Sequence, residues 1–279
     1  MTRHTTMLLA GAGLWLAATH AIAAESYDNC TGFIDSLPAT IATQGVWCLR
    51  QHLSTAIASG NAITIATNNV TIDCNDFKVG GLAAGDTSQA IGIQSLERQN
   101  ATVRQCALRG FRTGIQLFEG SGHLVEDNLL DQNLRTGIAV LSADGSRVQR
   151  NRVNNTGGAP GVPQVEGIVV SGDAIDNTVD GVFSDAASPS IAGIRMTGAS
   201  SEARGNQVRN LLGTGGFATG IQVTAPQATL RENMLAAPAT TNGTGINVSA
   251  EPAFCIGNIA TGFSTGFLNC RDVGGNDSL

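Results

Sequence analysis

A Gly-Ile pair, or a close variant of it, returns along this chain at Gly92, Gly114, Gly137, Gly167, Gly193, Gly220, Gly245 and, as GFLN, at Gly266. The spacings are 22, 23, 30, 26, 27, 25 and 21 residues. An earlier unit without glycine starts at AITI, Ala62 to Ile65. Units of this length with no amphipathic helix inside them can bury an apolar face only by stacking on one another, which is a solenoid. Each G-I-x-V reads as a short strand with alternate residues inward.

A second column runs beside the first. About thirteen or fourteen residues after most Gly-Ile starts comes a tetrad, as in IDCN, VEDN, VQRN and LREN, ending at Asn75, Cys106, Asn128, Asn151, Asn177, Asn206, Asn233 and Asn258. Two residues later an apolar partner follows each time, from Phe77 to Ala260. Asparagines stacked at one turn of every coil bond their neighbours above and below, satisfying polar groups that the turn would bury. Leucine-rich and hexapeptide repeats fit worse in period and in spacing. About nine coils at ~4.8 Å each give a rod about 40 Å long.

The amino terminus reads as a leader: Arg3 and His4, an apolar run from Met7 to Ala18, and Ala21-Ile22-Ala23 as a small-x-small site. That pattern predicts a signal peptide over residues 1–24, cleaved near Ala23 or Ala24, and a secreted or periplasmic protein with no membrane span after its removal. Six cysteines follow at 30, 48, 74, 106, 255 and 270, with no C-x-x-C, which favours disulfides over zinc and leaves fifteen pairings. With 16 basic against 22 acidic residues and Lys78 as the sole lysine, the chain is a poor partner for nucleic acid or an anionic membrane.

The two columns together resemble the right-handed parallel β-helix proteins of the pectin-lyase-like superfamily, over nearly the whole chain after the leader. SLPATIATQGVWCLRQHL (36–53) followed by AITIATNNVTIDCNDFKVGGL is similar to the entry of exported bacterial β-helix repeat proteins, a resemblance that brings no activity with it. The implied fold is all-β, a single-stranded right-handed parallel β-helix of about nine coils over 62–279, behind an N-terminal cap segment over 25–61. In that frame Cys30–Cys48 staples the cap, Cys74–Cys106 joins adjacent columns of successive coils, and Cys255–Cys270 ties the last two coils.

Aligned coils also show which charge lies above which. Asp73–Arg104–Glu126 and Asp127–Arg150–Asp176 alternate in sign up the stack, so Glu126 and Asp127 have a structural explanation in cross-strand pairing. Asp131 stands above Arg109 in a further column. From each ladder residue to the next unit the count is 17, 8, 9, 16, 16, 14, 12 and 8, so the second and third coils have short loops between tall ones. That predicts a notch about 10 Å wide at the strand spacing. Arg109, Arg112 and Arg135 lie in or beside it with Gln116 on the adjoining strand, and guanidinium groups there suit the carboxylates of an acidic sugar. Asp131, or His123 oriented by Glu119 four residues earlier, is the candidate for proton transfer.

Two functions of different class follow. One is a polysaccharide lyase or glycoside hydrolase acting on an acidic glycan at the notch. The other is a non-catalytic glycan-binding or structural surface β-helix. Enzymes of the resembled superfamily carry acidic catalytic or calcium-binding groups along an exposed strand face. Here that face reads Gln94, Gln116, Ala139, Val169, Arg195, Gln222, Asn247 and Leu268, without an acid. No carboxyl pair stands out for glycoside hydrolysis. No metal site and no cofactor is expected; DAIDNTVDG (173–181) lacks the spacing of a calcium loop, so calcium has no motif behind it.

Overall fold

The computed structural model describes residues 27–213 and 215–279; the leader expected over 1–24 lies outside them. The chain winds through three parallel ladders that form the sides of a prism. One holds the tetrad strands, eleven in a row from Gly32–Ile34 to Arg271–Gly274. The second holds the strands after each asparagine, such as Leu129–Asp131 and Arg152–Thr156. The third holds the Gly-Ile strands, such as Thr113–Ser121, Thr136–Leu141, Gln164–Val170 and Ser190–Met196. A parallel strand-to-strand crossover of this kind is right-handed by the chirality of the twisted strand. Counted from Asn61–Ile65, the third ladder makes about nine turns. The only helical element among the described residues is a short 3-10 turn, Leu82–Ala84.

Register is strict. Ile63, Ile93, Ile115, Ile138, Ile168, Ile194, Ile221 and Ile246 stack directly on one another, all fully buried. Each such side chain contributes about 1.5–3 kcal/mol on leaving water. The preceding glycine is there because its neighbours approach closely: a Cβ on Gly137 would fall 2.5 Å from Val153 Cγ1 and 2.7 Å from the Gly167 carbonyl oxygen. The segment 25–61, expected as a cap, already carries coil strands, since Gly45–Leu49 pairs with Val70–Asp73 and Ala39–Ile41 with Asn61–Ile65.

The asparagine ladder closes each coil. Asn128, Asn151, Asn177, Asn206, Asn233 and Asn258 are buried, and each side-chain Nδ2 donates to the next asparagine's Oδ1 at 2.8–3.0 Å. The same oxygen accepts the backbone N–H of the coil below, and Nδ2 reaches back to a carbonyl, as from Asn177 to Val148. Asn276 adds a last rung at the carboxy-terminal end. From Cys106 upward the residue before each rung is left-handed, with φ of 50° at Gln105 before Cys106, and 56° at Asp127, 53° at Arg150, 53° at Asp176 and 56° at Glu232 before asparagines. Three disulfides form with the expected partners, Cys30–Cys48, Cys74–Cys106 and Cys255–Cys270.

Candidate functional site

The charge columns form ion pairs in part: Asp73–Arg104 and Asp127–Arg150 pair as expected, whereas among the described residues Glu126 is met by Arg150 and Gln149 and not by Arg104, and Asp176 is not paired with Arg150. Arg104 Nε lies 2.8 Å from Asp73 Oδ2, and Arg150 reaches both Glu126 (2.6 Å) and Asp127 (2.8 Å). Asp131 is held in the same way, by Arg109 at 3.2 Å below it and by the Asn155 amide at 3.2 Å. Arg109 also donates from Nε and Nη2 to Gln132 Oε1, at 3.0 and 2.5 Å. Asp131 and Arg109 are thus each other's partner across the strands.

His123 is not the exposed turn residue its surroundings suggest. It is 1% exposed and occupies a column that reads Ala101, His123, Ser146, Gly172, Ser201, Ala228 and Ala253. Its Nδ1 accepts the Ala101 N–H at 3.2 Å, which leaves the Nε2–H to donate to the Glu119 carbonyl at 3.1 Å. Burial lowers its pKa below the usual imidazole value, partly offset by the Glu119 carbonyl. Glu119 thus orients the ring through its backbone and not its carboxylate. Nor do the three acid-base candidates converge. Glu119 and His123 lie where a Gly-Ile strand ends and Asp131 lies before one begins, so about 20 Å of a six-residue strand separates the two corners.

The notch is present. A depression of about 400 Å³ has Gly110, Gln132 and Leu134 as its floor, the Leu82–Asp86 loop on one side and Asn155, Gly157 and Phe183 on the other. None of the residues expected at the notch lines this depression: Arg109, Arg112, Arg135, Asp131 and Gln116 are all absent from its lining, which is largely apolar. Leu82, Leu134 and Phe183 were not singled out by the sequence pattern, although each begins or bounds a variable loop.

Arg112 and Arg135 follow the floor residues and stack at the start of successive Gly-Ile strands. Arg135 N–H donates to the Arg112 carbonyl at 2.9 Å. Both side chains are half-buried, in a column whose neighbours Ala90, Val165, Ile191 and Ala218 are fully buried. Among the described residues neither guanidinium meets a carboxylate. Burial, and then the adjacent Arg135, hold the Arg112 pKa below the usual guanidinium value. Two neighbouring like charges, partly desolvated and paired with no carboxylate among the described residues, favour an anion between or above them. Gln116, on the same strand as Arg112, accepts from Gln94 Nε2 at 2.9 Å, and Gln94 accepts from Asn61 at 2.7 Å, so a chain of amides runs up the face beside the arginines.

One acid escaped the sequence reading of this face. Glu166 is the register partner of Thr136, one residue from the Arg135 column, and is 5% exposed. It is tied to Arg195 (2.5 Å) and Gln164 (3.0 Å). Its position three residues before Val169 was off the column that was aligned. Ala139 and Val169 themselves, expected to face outward, are 5% and 1% exposed. Among the described residues, no group of three or more His, Cys, Asp or Glu could hold a metal ion.

Compared with known proteins, residues 52–210 match the family described as "Right handed beta helix region". No curated protein matches the sequence. Among solved structures, the A-module of an Azotobacter vinelandii mannuronan C-5 epimerase is similar at 12% identity, covering 90% of this chain and 91% of that one with a TM-score of 0.46. The Dettilon tailspike protein is similar at 13% identity, 88% and 58% coverage and a TM-score of 0.47. An alginate lyase from Paenibacillus sp. is similar at 14% identity, 86% and 99% coverage and a TM-score of 0.38.

Proposed function

The chain belongs to the right-handed β-helix family, and we propose that it is an exported protein that binds an anionic polysaccharide at the notch of its second and third coils without turning it over. The observation that carries this reading is the uncompensated Arg112–Arg135 pair beside an apolar floor. Guanidinium groups take carboxylates in a bidentate fork, while Leu134 and Phe183 offer apolar surface to the carbon face of a sugar ring. The non-catalytic half rests on where the acid-base candidates stand. Asp131 is paired with Arg109, both nitrogens of His123 are engaged, and Glu119 lies at the opposite corner. Three disulfides suit an oxidising compartment, in keeping with export.

The test is binding of the mature protein to polygalacturonate, alginate and hyaluronan by calorimetry, with product assays for reducing ends and unsaturated uronates run alongside. A charge-assisted hydrogen-bonded pair is worth about 1.5–3 kcal/mol, so Arg112→Ala and Arg135→Ala each weaken binding by roughly ten- to a hundredfold. Undiminished binding in both variants removes the site, and turnover of any of the three polymers removes the non-catalytic reading.

A further inference from the structure

A second depression lies at the other end of the same Gly-Ile strands. Five residues, 142–146, connect Thr136–Leu141 to the next tetrad strand, and five, 197–201, do so two coils higher. Between them only Ser171 and Gly172 make the turn. The short turn sits so tightly on the coil below that a Cβ on Gly172 would fall 2.0 Å from the Ser146 carbonyl oxygen. The result is a groove of about 750 Å³ with Ser171 and Gly172 as floor, Asp144 and Gly145 as one wall and Ala199 and Ser200 as the other. Its chemistry is the reverse of the notch. Asp173 is bonded to Arg147 (3.1 Å) and to the Glu202 N–H (3.0 Å), while Asp144 is exposed and, among the described residues, meets no cation. The lining is hydroxyl-rich and carries one net negative charge.

Resting on the proposed anion site, we propose that the glycan lies across the coils, parallel to the strands, and that this groove is a second subsite for an uncharged, hydroxyl-bearing sugar residue. An anionic chain running along the rod from Arg112 and Arg135 meets loop walls on both sides of the notch. A chain running along Thr113–Ser121 instead passes Gln116 and reaches the edge of the groove at Gly122, His123 and Leu124 after about 30 Å, the length of a nine-residue strand. The ligand class is therefore a heteropolysaccharide in which acidic and neutral residues alternate or are interspersed, because Asp144 repels a second carboxylate.

Hyaluronan fragments, in which glucuronate alternates with a neutral amino sugar, are the probe. The octasaccharide binds about tenfold tighter than the disaccharide, the gain expected of one or two further hydrogen bonds. Ala199→Trp fills the groove and abolishes that gain, while the disaccharide, held at the arginines, binds as before and reports an intact fold. Asp144→Lys leaves the disaccharide unchanged and raises affinity for a galacturonate octasaccharide. An octasaccharide advantage that survives Ala199→Trp, or no advantage in the unaltered protein, overturns the second subsite and leaves the arginine site standing. Absence of disaccharide binding in the unaltered protein overturns both.

Discussion

Removing one amide from the middle of the asparagine ladder should be among the most damaging single substitutions in this rod. Asn177 is 1% exposed and takes part in four contacts of its side chain. Its Oδ1 accepts the Asn151 N–H at 3.0 Å and the Asn151 Nδ2 at 3.0 Å, and its Nδ2 donates to Val148 at 2.9 Å and to Asn206 at 3.0 Å. Asn177→Ala leaves the Asn151 backbone N–H without an acceptor inside the turn and takes a donor from the Val148 carbonyl. The Asn151 amide keeps its bonds to Val125 and Gln149, and Asn206 keeps the Asn177 N–H. At about 1–3 kcal/mol for each buried group left unpaired, two such groups set the loss at about 2–6 kcal/mol. Asn276→Ala, at the half-buried last rung where water can reach the freed groups, loses about 1 kcal/mol or less. Urea unfolding followed by circular dichroism measures both. Equal losses at the two positions, or less than about 1 kcal/mol at Asn177, would falsify the claim that burial of the amide, and not its mere presence, makes the ladder matter.

The left-handed position before each rung, Cys106 included, offers a stabilising change. Gly205 and Gly257 already occupy it, and Gln105→Gly relieves a non-glycine residue there, with a net gain of about 0.5–1 kcal/mol after glycine's extra chain entropy, readable as a higher urea midpoint. The depressed His123 pKa makes stability fall with acid: the unfolded chain takes up a proton below pH ~6.5 while the buried imidazole does not, so the loss begins there and levels off below the folded pKa. In His123→Ala that acid loss shrinks, and a variant with the same pH profile as the parent would sink the assignment. Removing the Cys74–Cys106 bridge with Cys74→Ala and Cys106→Ala together opens a loop of separation 32 and lowers stability by about 2–4 kcal/mol; unchanged thermal unfolding would contradict it.

Most of the architecture was legible because a solenoid writes the same physical requirement once per coil. Gly-Ile starts, asparagines and cross-coil charge signs can each be checked against several copies, so Cys74 beside Cys106 and Arg109 beneath Asp131 followed from alignment alone. The notch followed from counting residues after each asparagine. What was missed lay where only one coil departs from the rest. His123 replaces alanine or serine in a buried column, Glu166 sits off the column that was aligned, and the two-residue turn at Ser171-Gly172 shows only if the other corner is counted as well. Burial of Ala139 and Val169 had no signal at all, since it depends on what lies over the strand and not on the strand's own period.

The asparagine rung has a further meaning for how such a chain changes over time. Because every coil is brought back to the same hydrogen-bonded position at Asn128, Asn151, Asn177 and their successors, a miscount in one loop is corrected before the next coil begins. Insertions after the rung, where the count to the next Gly-Ile start already varies from 8 to 17 residues, alter the outline of the rod at one height and are invisible to the coils above. A binding surface can be recut by lengthening a single loop, and the rest of the molecule keeps its place as if nothing had been added.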